Sequence, residues 1–132
     1  MTTLHQSLNY TITINMKKLR KQFDGKGLVD ILTVILQNSE KSDLAMWYVL
    51  NIRMRSKLSK RYEQFKSVVG IDFADILGEF FLYLRDGWNN RNIMRFESLH
   101  RIRDYWTFGR WMGNTFTYYL INIAEKNHNK RL

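Results

Sequence analysis

The stretch "DFADILGEFFLYLRDG", residues 72 to 87, decides how the chain is read. Phe73, Ile76, Leu77, Phe80, Phe81 and Leu84 recur at intervals of three and four, the spacing that puts side chains on one face of an α-helix. Asp72 is a good N-cap, Asp75 stands where a capping-box acid belongs, and Gly87 is a natural stop. The spacing predicts a helix over 73–86. Its other face carries Asp72, Asp75, Glu79, Leu82, Tyr83 and Asp86, of which 75, 79, 82 and 86 form one stripe. Asp72 and Asp75 are explained by capping and by the helix dipole. Glu79 and Asp86 are not, since Asp86 sits toward the C-terminal end, where a negative charge is unfavourable.

Those acids stand out against the rest of the chain. The 132 residues carry a net charge of +9, with a pI near 9.9, yet residues 71 to 90 alone hold four acids and one base. A basic chain attracts polyanions, nucleic acid above all. An acidic stripe with Leu82 and Tyr83 interleaved suits a basic partner helix; the plainer alternative is a solvated face.

Outward from this helix the pattern stays helical. There is no proline, only seven glycines, and 45% of residues are hydrophobic, enough for one compact core. "GLVDILTVILQ" predicts a helix at about 27–37, through Leu28, Ile31, Leu32, Ile35 and Leu36. Ser39 reads as the N-cap of a long helix over 40–66, with a wet face of Arg53, Arg55, Lys57, Lys60 and Arg61. A last helix is predicted over 107–128, its core stripe Phe108, Met112, Phe116, Tyr119, Leu120 and Ile123. Residues 1–25 read as an N-terminal arm that ends in a basic patch, and 26–132 as one all-α domain, a compact four-helix bundle.

The final third is dense in aromatic and basic residues. Arg101, Arg103, Asp104 and Trp106 precede the last helix, and Arg110, Trp111, Asn114, Thr115, Tyr118, Asn122 and Lys126 lie along it. Aromatic rings stack on exposed bases, amides hydrogen-bond their edges and arginines meet phosphate. The competing assignment for a tryptophan in a small domain is the core, and one of Trp106 and Trp111 is expected there.

Signals of other classes are missing. There is no cysteine, and His5, His100 and His128 are scattered without metal-ligand spacing. No phosphate-binding glycine loop or nucleophile elbow occurs, and capping accounts for Asp72 and Asp75 better than a magnesium site does. No signal peptide or membrane-length apolar run is present. The expectation is a cytoplasmic, non-enzymatic protein with no catalytic residues, no metal and no cofactor.

Taken in order, these features resemble region 2 of the sigma-70 family of bacterial transcription initiation factors, of the extracytoplasmic-function type. The stretch 72–87 is similar to the family's D-x-x-Q-E-x-F-x-x-L helix through Asp75, Glu79, Phe81 and Leu84, with Gly78 where glutamine is common. "FGRWMGNTFTYYLINIAEK" is similar to its F-x-x-W-L helix through Phe108 and Trp111, with Met112 for leucine. The resemblance spans about residues 27–128 and implies a fold of the sigma region 2 type, without the region 4 domain that usually comes after it. It implies that Asp72, Asp75, Glu79, Leu82, Tyr83 and Asp86 dock on the β′ coiled coil of RNA polymerase core. It further implies that Arg101, Arg103, Asp104, Trp106, Arg110, Trp111, Asn114, Thr115, Tyr118 and Asn122 melt and read the single-stranded non-template strand of the promoter −10 element. Arg53, Arg55, Lys57 and Lys126 would hold phosphate, and an anti-sigma factor would be a further partner. The rival expectations are a helical adaptor that binds polymerase or another basic partner without reading DNA, and a general helical nucleic-acid binder.

Overall fold

The computed structural model describes residues 16–37, 40–89 and 105–131, and among these the fold is all-α, with six α-helices and no strand. The expected arm ends in a helix, α1 (Met16–Phe23), whose Leu19 and Phe23, one turn apart, are buried while its lysines face water. Gly27, in extended conformation (φ −70°, ψ 160°), N-caps α2 (Leu28–Leu36) by accepting from the Ile31 N–H at 3.2 Å. α2 buries Leu28, Ile31, Leu32 and Ile35, the stripe the periodicity predicts, with Leu36 half-buried. The buried Ser42 hydroxyl donates to the Val34 carbonyl at 2.8 Å and ties α2 to α3 (Glu40–Tyr48).

The helix expected over 40–66 is two helices joined by a π turn. Ala45 through Leu50 are buried without a break, so the chain there is surrounded by protein on all sides. The π turn runs over Val49–Arg53 and closes with the Met54 N–H on the Val49 carbonyl at 2.8 Å, five residues back. One extra residue in a turn rotates the downstream helix by about 100° relative to an unbroken α-helix. α4 (Arg55–Val69) therefore starts in a new phase and buries Leu58, Tyr62 and Val69.

Rephasing also aims Arg53 inward, away from the wet face where the sequence put it. Its guanidinium donates to the carbonyls of Lys26 (2.9 Å), Asp24 (3.3 Å) and Phe23 (3.4 Å), at the C-terminal end of α1. Its Nε donates to the Tyr48 hydroxyl at 3.1 Å, and the Tyr48 hydroxyl in turn donates to the Asp24 carboxylate. The cation lies 5.5 Å from the centre of the Tyr48 ring, and that ring packs on Phe23 at 5.4 Å. Burial, and after it the bond to Asp24, raises the Tyr48 phenol above its ordinary pKa, so it stays protonated and donating.

α4 ends on Gly70, whose left-handed backbone (φ +70°) suits a residue without Cβ. The Asn127 side-chain amide caps the same end from a distance, donating to the carbonyls of Val68 and Val69 at 2.9 Å each. α5 (Phe73–Asn89) begins where predicted, with the Ile76 N–H on the Asp72 carbonyl at 3.0 Å, and runs past Gly87. It buries Ile76, Leu77, Phe80, Phe81 and Leu84, and Phe81 meets the edge of Trp47 at 5.4 Å. α6 (Tyr105–Arg131) buries Phe108, Met112, Phe116 and Leu120 at strict four-residue spacing and packs along α4.

Truncating Arg53 to alanine leaves the carbonyl of Phe23, at the end of α1, and those of Asp24 and Lys26 just beyond it without this donor. It is expected to lower unfolding free energy by about 2–3 kcal/mol in urea titration. Tyr48→Phe keeps the ring and loses only the hydroxyl, with an expected cost of about 1–2 kcal/mol. A loss below about 0.5 kcal/mol for Arg53→Ala, the range of an ordinary surface substitution, would show that the arrangement contributes little to stability.

Candidate functional site

On the outer face of α5, Asp72, Asp75 and Glu79 are all exposed. Among the described residues none of the three pairs with a cation. Leu82 and Tyr83 border the acids and are half-buried. Asp86 lies on the same helix, with its side chain outside the described residues.

Tyr83 is committed on one side. Its ring packs on Phe80 at 6.2 Å and on Tyr119 of α6 at 5.1 Å, and Phe80 also meets Tyr119 (5.3 Å) and Phe116 (4.9 Å). These four rings form an aromatic wall between α5 and α6. Burial pushes the Tyr119 phenol up to about 12, and the negative charge of Glu79 pushes the same way. The acidic face thus reaches the seam with α6.

On α6, Arg110, Asn114, Tyr118, Asn122 and Lys126 are all exposed, four residues apart along one slowly winding row. Tyr118, at 68% exposure, is a large aromatic left bare in the middle of it. Thr115 and Trp111 are half-buried beside the row, and Trp111 stacks toward Phe108 at 6.3 Å. Arg101, Arg103 and Asp104 lie outside the described residues, and Trp106 falls in the first turn of α6 with its side chain outside them.

The basic residues of α4 divide. Arg55 is exposed and lies over the Phe73 ring at 5.4 Å. Arg53, expected to hold phosphate, is engaged first by the α1 carbonyls and Tyr48, a structural role that its place in the sequence does not show. Lys57 is half-buried and crosses α6 over Gly109 and Gly113. Arg61, one turn further on, donates to the Thr117 hydroxyl at 3.1 Å. The glycine–glycine–threonine spacing at 109, 113 and 117 was the available sign of a close helix approach, since small residues one turn apart let a neighbour's side chains lie across a helix.

Among the described residues there is no group of three or more His, Cys, Asp or Glu side chains able to hold a metal, and no helix is long and apolar enough to cross a membrane. Comparison of the chain with protein-family models, with curated proteins and with solved structures finds no match in any of the three.

The Tyr119–Glu79 relation can be read by alkaline absorbance titration. Tyr119 is expected to ionise near 12 rather than 10, and Glu79→Gln to bring it down. Because its folded pKa lies above the unfolded value, Tyr119 contributes stability that is complete below pH 10 and is lost as pH rises from 10 towards 12. A Tyr119→Phe difference spectrum centred near pH 10 would contradict this.

Proposed function

We propose that the chain is a sigma region 2-like module that docks on bacterial RNA polymerase core and engages the melted −10 element of a promoter. The observation that carries this is the outer face of α5, where Asp72, Asp75 and Glu79 are exposed and, among the described residues, form no ion pair in a strongly basic chain. Unpaired carboxylates held on a rigid helix, bordered by Leu82 and Tyr83, suit the arginine-bearing surface of a coiled coil. In this reading α2, α3 with α4, α5 and α6 are the four helices of a region 2 bundle spanning 26–132, and the protein acts in the cytoplasm.

The exposed row on α6 supports the second half. Tyr118 offers a face for base stacking, Asn114 and Asn122 offer amides for base edges, and Arg110 and Lys126 offer charge for phosphate. Arg101, Arg103 and Asp104, ahead of α6 in the sequence, and Trp106 in its first turn would complete the capture of flipped bases, whose unstacking costs a few kcal/mol that pocket contacts repay. Exposed Arg55 would add a phosphate contact.

Two substitutions, measured separately, test the proposal. Glu79→Arg is expected to abolish capture of the purified chain by core RNA polymerase. The double substitution Asn114→Ala, Tyr118→Ala is expected to leave capture intact. It should weaken binding to single-stranded −10-like DNA by about 1–3 kcal/mol, the range for losing one stacking platform. Capture that survives charge reversal at Glu79 would defeat the docking assignment. DNA binding indifferent to the α6 pair, beside polymerase capture that depends on Glu79, would identify an adaptor that does not read DNA. The remaining DNA affinity should fall linearly with the logarithm of salt concentration.

A further inference from the structure

A groove of about 500 Å³ opens between the N-terminal half of α4 and the start of α6. Arg53, Lys57, Lys60 and Arg61 line it over Met54 and Gly109, and among the described residues no carboxylate does. Among the described residues Lys57, Lys60 and Arg61 form no ion pair. Cations brought together without a counter-charge repel one another, and an anion in the shared volume removes that repulsion.

Two of these cations are positioned in advance. The Lys57 stem is admitted by glycines: its Nζ lies 3.6 Å from where a Cβ at Gly109 would be, and its Cε 3.0 Å from one at Gly113. The Arg61 guanidinium donates to the Thr117 hydroxyl, which donates in turn to the Gly113 carbonyl at 2.8 Å. Side chains already held lose little freedom when a ligand arrives.

We propose that this groove binds a small polyphosphate, the di- or triphosphate group of a nucleotide-like ligand. Its volume falls within the roughly 300–1,000 Å³ usual for small-molecule sites. An arginine fork with two lysine point charges suits several closely spaced phosphate oxygens better than a single monoanion. An extended nucleic-acid backbone calls instead for charges strung out along a surface, as Arg110 and Lys126 are, about 24 Å apart along α6 by helical rise. The site stands apart from polymerase docking and does not depend on it.

The test is a titration of the full chain with inorganic tripolyphosphate at about 0.15 M salt, where long-range surface attraction is screened. Saturable one-to-one binding is expected. The double substitution Lys57→Gln, Lys60→Gln is expected to weaken it about tenfold or more. Lys17→Gln, Lys18→Gln removes the same charge from exposed positions on α1 and should change nothing. Circular dichroism of both variants checks that the helices remain. Equal weakening by the two double variants would reduce the effect to net charge and overturn the site, as would binding that never saturates. Binding untouched by the α4 pair would place it elsewhere and overturn the site equally. If a single-stranded oligonucleotide without terminal phosphates saturates the groove, loses affinity in the α4 variant, and tripolyphosphate does not bind, the groove belongs to nucleic-acid backbone and the proposal fails.

Discussion

One guanidinium ties the end of α1 to the π turn that sets the phase of the long helix after it. α1, with eight residues, is too short to persist alone, since isolated helices below about 12–15 residues are marginal in water. It docks through Leu19 and Phe23 and presents its C-terminal carbonyls, the negative end of its dipole, to the one basic side chain that the π turn swings toward it. Arg53 carries its charge into a half-buried position, which is tolerable only because carbonyls, a phenol and an aromatic face surround it. The same π turn that aims Arg53 sets the phase of α4, and through it the packing of α4 on α6. A π turn gives up regular hydrogen bonding, and here the loss is matched by a gain on both sides of it.

The seam between α4 and α6 then decides where charge goes. Gly109 and Gly113 leave room on α6 for the Lys57 stem, Thr117 takes the Arg61 fork, and Asn127 closes the far end on Val68 and Val69. Cations that would otherwise spread over the surface are gathered into one groove. The opposite treatment is given to acid: Asp72, Asp75 and Glu79 form no ion pair among the described residues and stay on the outside. By contrast Asp43, partly buried between α3 and α5, receives Arg85 at 3.6 Å, and burial still holds its pKa above the ordinary value. The fold pairs the acid it encloses, while among the described residues Asp72, Asp75 and Glu79 on the outside form no ion pair.

What the sequence made legible is what amphipathic periodicity encodes. The helix expected over 27–37 is α2 at Leu28–Leu36, and the start of α5 at Phe73 and the core positions of α6 come from spacing alone. The π turn was not legible, because the phase shift it makes falls where the continuous burial of Ala45 to Leu50 obscures any stripe. α1 does carry the helical pattern, in Met16, Leu19 and Phe23 among basic residues, but eight residues are too few to stand alone, and the basic patch hides a docking face for Tyr48. Arg53 reads like any cation on a basic helix until the turn removes it from that face. The groove escapes for a related reason: Lys57 meets Gly109 and Gly113 more than fifty positions away, a relation fixed by packing and not by local pattern.

The aromatic wall of Phe80, Tyr83, Phe116 and Tyr119 bears on how the two outer surfaces relate. Glu79 belongs to the acidic face and acts electrostatically on Tyr119, while Tyr119 is the neighbour in sequence of Tyr118 in the exposed row of α6. Rings 4.9–5.3 Å apart in tilted and edge-on contact are close-packed, each pair adding about 0.5–1.5 kcal/mol beyond its buried area. The ring contacts join α5 to α6 locally, while α6 lies mainly along α4. The geometry of the exposed row is therefore set by the seam with α4, and the rings fix where the acidic face of α5 meets it.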